Sequence, residues 1–209
     1  SQLKLISLKK LVVFMDMLSL HYYDMPKGWE PKVSATEFDD KLYYRTLNKA
    51  YFMDELISRH SAIMDQYDPE KKIGLAVDEW GTWFDVEKGT NPGFLYQQNT
   101  MRDAMVAAIS LNTFNRHSKR VKMANIAQAV NVLQAVLLTE GDKLVKTPTY
   151  HVFDLFKEHQ DAECVYCYTD NYNICDGKNA PMITSSASVK GKKLVITLAN
   201  CSLTEEARI

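Results

Sequence analysis

The sequence predicts an α/β fold in which consecutive βα units build a parallel sheet and a short all-β region follows. Three observations carry this. Apolar stretches ending in polar side chains alternate three times with segments of helical periodicity up to about residue 160. The apolar run from Leu75 to Val77 is continuous rather than alternating, as in strands covered on both faces. After Asp161 the pattern changes to short β-branched or aromatic stretches divided by Asp176-Gly177 and Lys190-Gly191. The boundary falls near Ala162, giving regions 1–161 and 162–209.

Residues 1–16 mix Leu, Ile and Val with Lys9 and Lys10 at spacings that fit the end of an amphipathic helix. Met17 to Tyr23 reads as a short buried strand, with His21 and Tyr23 two apart and so on one face. A loop with Pro26, Gly28 and Pro31 follows, where Trp29 is either a loop anchor or a rim aromatic. From Phe38 to Tyr67 apolar residues recur at three and four, a long surface helix that Asp68-Pro69 stops. The next strand leads to Asp78 and Glu79, after which a loop spans Asp85 to Pro92. A helix is expected from Tyr96 to His117, with Met101, Met105, Ala108 and Leu111 facing inward. Val121 to Gln128 is the third strand, and Thr149 to Gln160 a further helix. Glu163–Tyr168, Met182–Val189 and Leu194–Asn200 read as antiparallel strands.

Composition narrows the function classes. A chain of 209 residues that is 46% hydrophobic can bury a real core, and a net charge of −1 gives no field to recruit nucleic acid or an anionic membrane. No apolar stretch is long enough to cross a bilayer, and Ser1-Gln2-Leu3-Lys4 does not resemble a signal peptide. Four cysteines suggest a reducing cytoplasm rather than a disulfide scaffold. The sequon Asn200-Cys201-Ser202 matters only in a secreted protein.

Parallel strands put their carboxyl ends on one face, so His21 with Tyr23, Glu79 with Trp83, and Gln128 are expected to converge. The tryptophans on either side of Gly81 favour a sugar site, with Glu79 as one of two carboxylates flanking an oxocarbenium-like transition state. The plainer alternative is a pair of acids entering a solvated loop. Cys164-Val165-Tyr166-Cys167 has a zinc-like spacing, but residues three apart on a strand face opposite ways and no regular second pair exists, so no metal is expected. The basic run Arg116 to Lys122 reads as a helix C-terminus whose cations complement the dipole. His117, His151 and His159 show no partner set for a Ser/His or Cys/His nucleophile, and without a glycine-rich phosphate loop no cofactor is implied.

Leu18-Ser19-Leu20-His21-Tyr22-Tyr23, Val77-Asp78-Glu79-Trp80-Gly81-Thr82-Trp83, Tyr96-Gln97-Gln98-Asn99-Thr100-Met101-Arg102-Asp103-Ala104 and Arg120-Val121-Lys122-Met123-Ala124-Asn125-Ile126-Ala127-Gln128 together resemble the family-51 glycoside hydrolases, the α-L-arabinofuranosidases. The resemblance covers nearly the whole chain, weakening over the first dozen residues and after Asp161. It implies a (β/α)8 barrel, here its sixth to eighth strands, followed by the truncated start of a β-sandwich. It implies retaining hydrolysis of terminal arabinofuranosyl groups from arabinoxylan, arabinan and their oligosaccharides. By position Glu79 matches the nucleophile and Tyr23 the tyrosine that hydrogen-bonds it, while His21, Trp83 and Gln128 match residues lining the furanose subsite. The family's acid/base glutamate follows an asparagine on an earlier strand, and this sequence has no Asn-Glu dipeptide. The resemblance therefore implies a fragment carrying the nucleophile alone, from a family whose members are usually homo-oligomers. A non-catalytic carbohydrate-binding or interaction remnant, and one half of a split enzyme, are the alternatives.

Overall fold

A computed structural model describes residues 14–29, 32–174 and 180–208. The helix end expected within 1–16 lies, except for its last three residues, outside the described residues, as does Cys175.

The α/β part is a three-stranded parallel sheet in the order β1 (Met17–Asp24), β2 (Gly74–Thr82), β3 (Val121–Ile126). Sequential order with a helix after each of the first two strands is what consecutive βα units produce. The central strand is buried as its unbroken apolar run requires: Leu75 and Val77 are fully covered. They join the main core with Leu20, Met53, Ile57 and Trp80. Gly74 lets β2 start tightly against its neighbour, since a Cβ there would sit 2.8 Å from the Lys122 side chain.

Helix α1 (Asp40–Asp65) starts where Asp39 caps the Leu42 N–H at 2.8 Å, and it buries Tyr43, Leu47, Ala50, Met53, Ile57 and Met64. Just past its end Asp68 is tied down by Arg120. That arginine is 2% exposed, reaches Asp68 Oδ2 at 2.7 Å and the Ile73 carbonyl at 2.8 Å, and also pairs with Asp65. Against a burial cost, the Ile73 N–H and Arg120 hold the Asp68 carboxyl below its usual range. The basic run expected as a helix C-terminus complementing the dipole thus also supplies a buried ion pair that joins α1, β2 and β3.

Helix α2 (Met101–Arg116) begins five residues later than expected, at a capping box of Thr100 and Asp103. Residues 97–100 stay extended because the Gln97 and Asn99 side chains are drawn into buried hydrogen bonds. This corrects the expectation for Met101: at the first position of the helix it is 64% exposed, whereas Ala108 is buried. Helix α3 (Pro148–Phe156) is capped by Thr147 and continues as a 3-10 turn through His159. An exposed antiparallel hairpin, β4 (Leu137–Glu140) and β5 (Lys143–Lys146), was not expected. Its signal was the turn at Gly141, where φ is +60°.

The C-terminal part is β-sandwich-like: an antiparallel sheet of β6 (Glu163–Val165), β7 (Ile183–Lys190) and β8 (Lys193–Asn200). One face carries hydroxyls and docks on α2. Ser186 Oγ and Thr197 Oγ1 each donate to Asn112 at 2.7 Å, and Arg116 donates to the Ser185 carbonyl at 2.8 Å. The opposite face leaves Leu194, Ile196 and Leu198 of β8 exposed at 58%, 53% and 40%.

Candidate active site

Glu79 sits in the C-terminal half of β2, and the register puts His21 opposite it and Tyr23 opposite Gly81. The Tyr23 hydroxyl donates to Glu79 Oε2 at 2.8 Å, and His21 Nδ1 lies 3.6 Å from the same oxygen. His21 Nε2 stands 3.9 Å from Asp78 Oδ2, so the imidazole lies near two neighbouring carboxylates. Burial, then the hydrogen bond to Glu79, raises the Tyr23 pKa, so the phenol keeps its proton and remains a donor. The site is open: the His21 and Glu79 side chains are 50% and 48% exposed.

One tryptophan beside Gly81 belongs to this site and the other does not. Trp83 packs edge-on against Tyr23 at 4.9 Å, and Trp29 against Trp83 at 5.2 Å, while Lys32 Nζ lies 5.7 Å from the Trp83 ring centroid. Trp29 is 59% exposed, which makes it a rim aromatic that also anchors its loop on Trp83. Trp80, expected as a wall, is instead fully buried in the core against Phe114 and Phe153. The strand's two-residue alternation would put Trp80 and Trp83 on opposite faces, and Gly81, at φ +131°, redirects the chain between them.

Beyond Gly81, strand pairing with β3 has ended, and two buried glutamines replace it. Gln134 Oε1 accepts the Thr82 N–H at 2.9 Å, and Gln134 Nε2 donates to the Asp103 carbonyl at 2.8 Å. Gln97 Oε1 accepts the Phe84 N–H at 2.8 Å, and its Nε2 donates to Thr82 Oγ1 at 3.0 Å. The Arg102 guanidinium lies between the Phe38 and Phe84 rings at 3.8 and 3.9 Å. Burial raises the Asp103 pKa, against hydrogen bonds from Thr82 and Thr100 that lower it. Sequence reasoning quoted Gln97, Arg102 and Asp103 in a motif but gave them no role, and it missed Gln134, because a polar residue outside a strand tip carries no signal of burial.

Gln128 lies two residues past β3, at the same end of the sheet, following a cis peptide bond with Ala127. The Ala127 N–H donates to the Trp80 carbonyl at 3.0 Å, and the Gln128 side chain is exposed. The structure therefore links His21 and Tyr23 to Glu79 and Trp83 to Tyr23, and places Gln128 past the end of the neighbouring strand β3. His159 does meet a serine, Ser188 Oγ at 2.7 Å, but its other nitrogen meets Thr197 Oγ1 at 3.1 Å; this pair docks the turn after α3 on the antiparallel sheet. Among the described residues no group of three or more His, Cys, Asp or Glu could hold a metal ion.

Comparison with known proteins gives the arrangement its relatives. Residues 78–207 match the family model "Alpha-L-arabinofuranosidase C-terminal domain". An intracellular exo-α-L-arabinofuranosidase from Bacteroides ovatus is 46% identical over 199 residues, which cover 93% of this chain and 38% of that protein. Among solved structures, the GH51 arabinofuranosidase of Xanthomonas axonopodis pv. citri superposes with a TM-score of 0.91 at 49% identity, over 98% of this chain and 42% of that one. The Thermotoga maritima α-L-arabinofuranosidase, solved as an arabinose complex, gives 0.67 at 28% identity, over 88% and 38%. This chain thus spans well under half the length of these relatives. It belongs to the α-L-arabinofuranosidases of glycoside hydrolase family 51 and corresponds to their C-terminal region.

Proposed function

We propose that this chain carries the nucleophile half of a retaining α-L-arabinofuranosidase, with Glu79 as the attacking carboxylate. The observation that supports this best is the Tyr23 hydroxyl 2.8 Å from Glu79 Oε2. A donor fixed on one carboxylate oxygen sets the rotamer and leaves the other oxygen for the anomeric carbon. Tyr23 supports the nucleophile. His21, Trp83 and Gln128 line the furanose subsite, and Trp29 extends its aromatic wall outward. Residues 1–161 correspond to the last three βα units of an eight-stranded barrel, and 162–209 to the start of the β-sandwich domain. The general acid/base lies outside these residues, about 5 Å from Glu79 across the scissile bond as retention requires.

The substrate is a terminal arabinofuranosyl group on arabinan or arabinoxylan oligosaccharides. The Bacteroides ovatus relative is named an intracellular enzyme, and we place this protein's work in the cytoplasm too, on fragments already taken up for arabinose metabolism. The test is a chimera in which residues 1–209 replace the matching region of that relative. Treated with a mechanism-based arabinofuranosyl inactivator, it should be labelled on Glu79; a label on any other residue would refute the assignment. The 209-residue chain alone should hydrolyse unactivated arabinofuranosyl oligosaccharides poorly, because lost leaving-group protonation costs about 10²- to 10⁴-fold, a loss that is smallest for an activated nitrophenyl leaving group. Efficient turnover by the chain alone would show that the acid/base lies within it.

A further inference from the structure

A cleft of about 490 Å3 opens at the seam between α1 and the antiparallel sheet, and none of its lining residues belongs to the candidate active site. Its walls combine aromatic faces with fixed polar groups. Tyr168 is 74% exposed and Phe52 38%. Arg116 is fixed in the cleft by the Ser185 carbonyl at 2.8 Å and Thr113 Oγ1 at 3.0 Å. Asp54 is held by His117 Nε2 at 2.8 Å, a bond that keeps its carboxyl below the usual range. Thr184, in the cleft wall, is 3% exposed, yet its hydroxyl has no hydrogen-bond partner. Buried hydroxyls are normally satisfied, so this one is an unused donor and acceptor.

We propose that the seam cleft is a second saccharide-binding site, taking a neutral pentose oligosaccharide of about two residues. An exposed phenol offers a face to the C–H side of a sugar ring, while a pre-fixed carboxylate and guanidinium receive hydroxyls without further ordering cost. Asp54 and Glu55 against Arg116 leave no excess positive charge, which disfavours phosphorylated ligands. The volume lies within the range of small-molecule sites, and the comparable polar and apolar character of the walls suits a carbohydrate rather than a lipid. The site needs both parts of the fold, since α1 supplies Asp54 and the β6–β7 connection supplies Tyr168. This proposal rests on the glycosidase reading only in the choice of probe.

The experiment is saturation-transfer difference NMR on the 209-residue chain titrated with α-1,5-arabinotriose, in a Trp83→Ala background that removes the active-site wall. We expect saturable binding there, weakened about tenfold or more by Tyr168→Ala, kept by Tyr168→Phe, and weakened by Thr184→Val. Far-UV circular dichroism should stay unchanged in Tyr168→Ala, because that side chain is exposed. Absence of binding in the Trp83→Ala chain, or binding indifferent to Tyr168→Ala, overturns the proposal. Neither result touches the nucleophile assignment, which the labelling of Glu79 tests separately.

Discussion

Replacing Tyr23 by Phe removes the O–H that donates to Glu79 at 2.8 Å while keeping the ring that packs on Trp83. A hydrogen bond to a charged group is worth about 1.5–3 kcal/mol, so in the chimera kcat should fall about 10- to 10²-fold. Glu79→Ala should abolish turnover; a Tyr23→Phe loss of equal size would give the tyrosine a direct part in the chemistry. Gly81 acts through the backbone instead. At φ +131° a side chain is strained, and an added Cβ would lie 3.0 Å from Gln134 Oε1. Gly81→Ala should destabilise the chain by about 1–3 kcal/mol in denaturant titration. It should also weaken arabinose binding in the chimera, because the backbone at Gly81 sets how the chain leads into Trp83.

The ties between elements are concentrated in a few polar side chains. Arg120→Met leaves Asp68 buried without its cation, and breaking a buried pair costs about 3–5 kcal/mol, to be read as a lower unfolding midpoint. His159 gives a pH-dependent tie. Burial lowers its pKa, so its stabilising contribution is fully present above the unfolded value of about 6.5 and is lost as pH falls through the folded one. Melting temperature should therefore drop on acidification through that window, and His159→Gln should flatten the profile. The strands, α1 and the change of pattern near residue 162 were legible because each follows from period and burial. That Tyr23 and His21 meet Glu79, and Trp83 meets Tyr23, was legible because a parallel sheet gathers its tips. The role of Trp80 was not, because the sequence reading treats the two tryptophans together as walls although they stand three apart, on opposite faces of a strand. Nor were Gln97 and Gln134, whose amides substitute for a missing strand partner that no local pattern announces.

For the whole molecule, the exposed row Leu194, Ile196 and Leu198 is an apolar sheet face of the kind a second sheet would cover. The 209-residue chain should self-associate through it, and Ile196→Lys should shift the population toward monomer in sedimentation velocity; an unchanged distribution would show that another surface drives association. The other face of that sheet meets α2 through Ser186, Thr197, Asn112 and Arg116. Hydrocarbon contacts tolerate sliding, whereas these bonds are satisfied in one registration only. Shear between the two parts would break them together, so the junction behaves as a latch. Opening that latch wets hydroxyls along with the apolar contacts of Ala199, Ile174 and Cys201, so calorimetry should show a smaller heat-capacity increment per residue than an all-hydrocarbon junction of the same size would give.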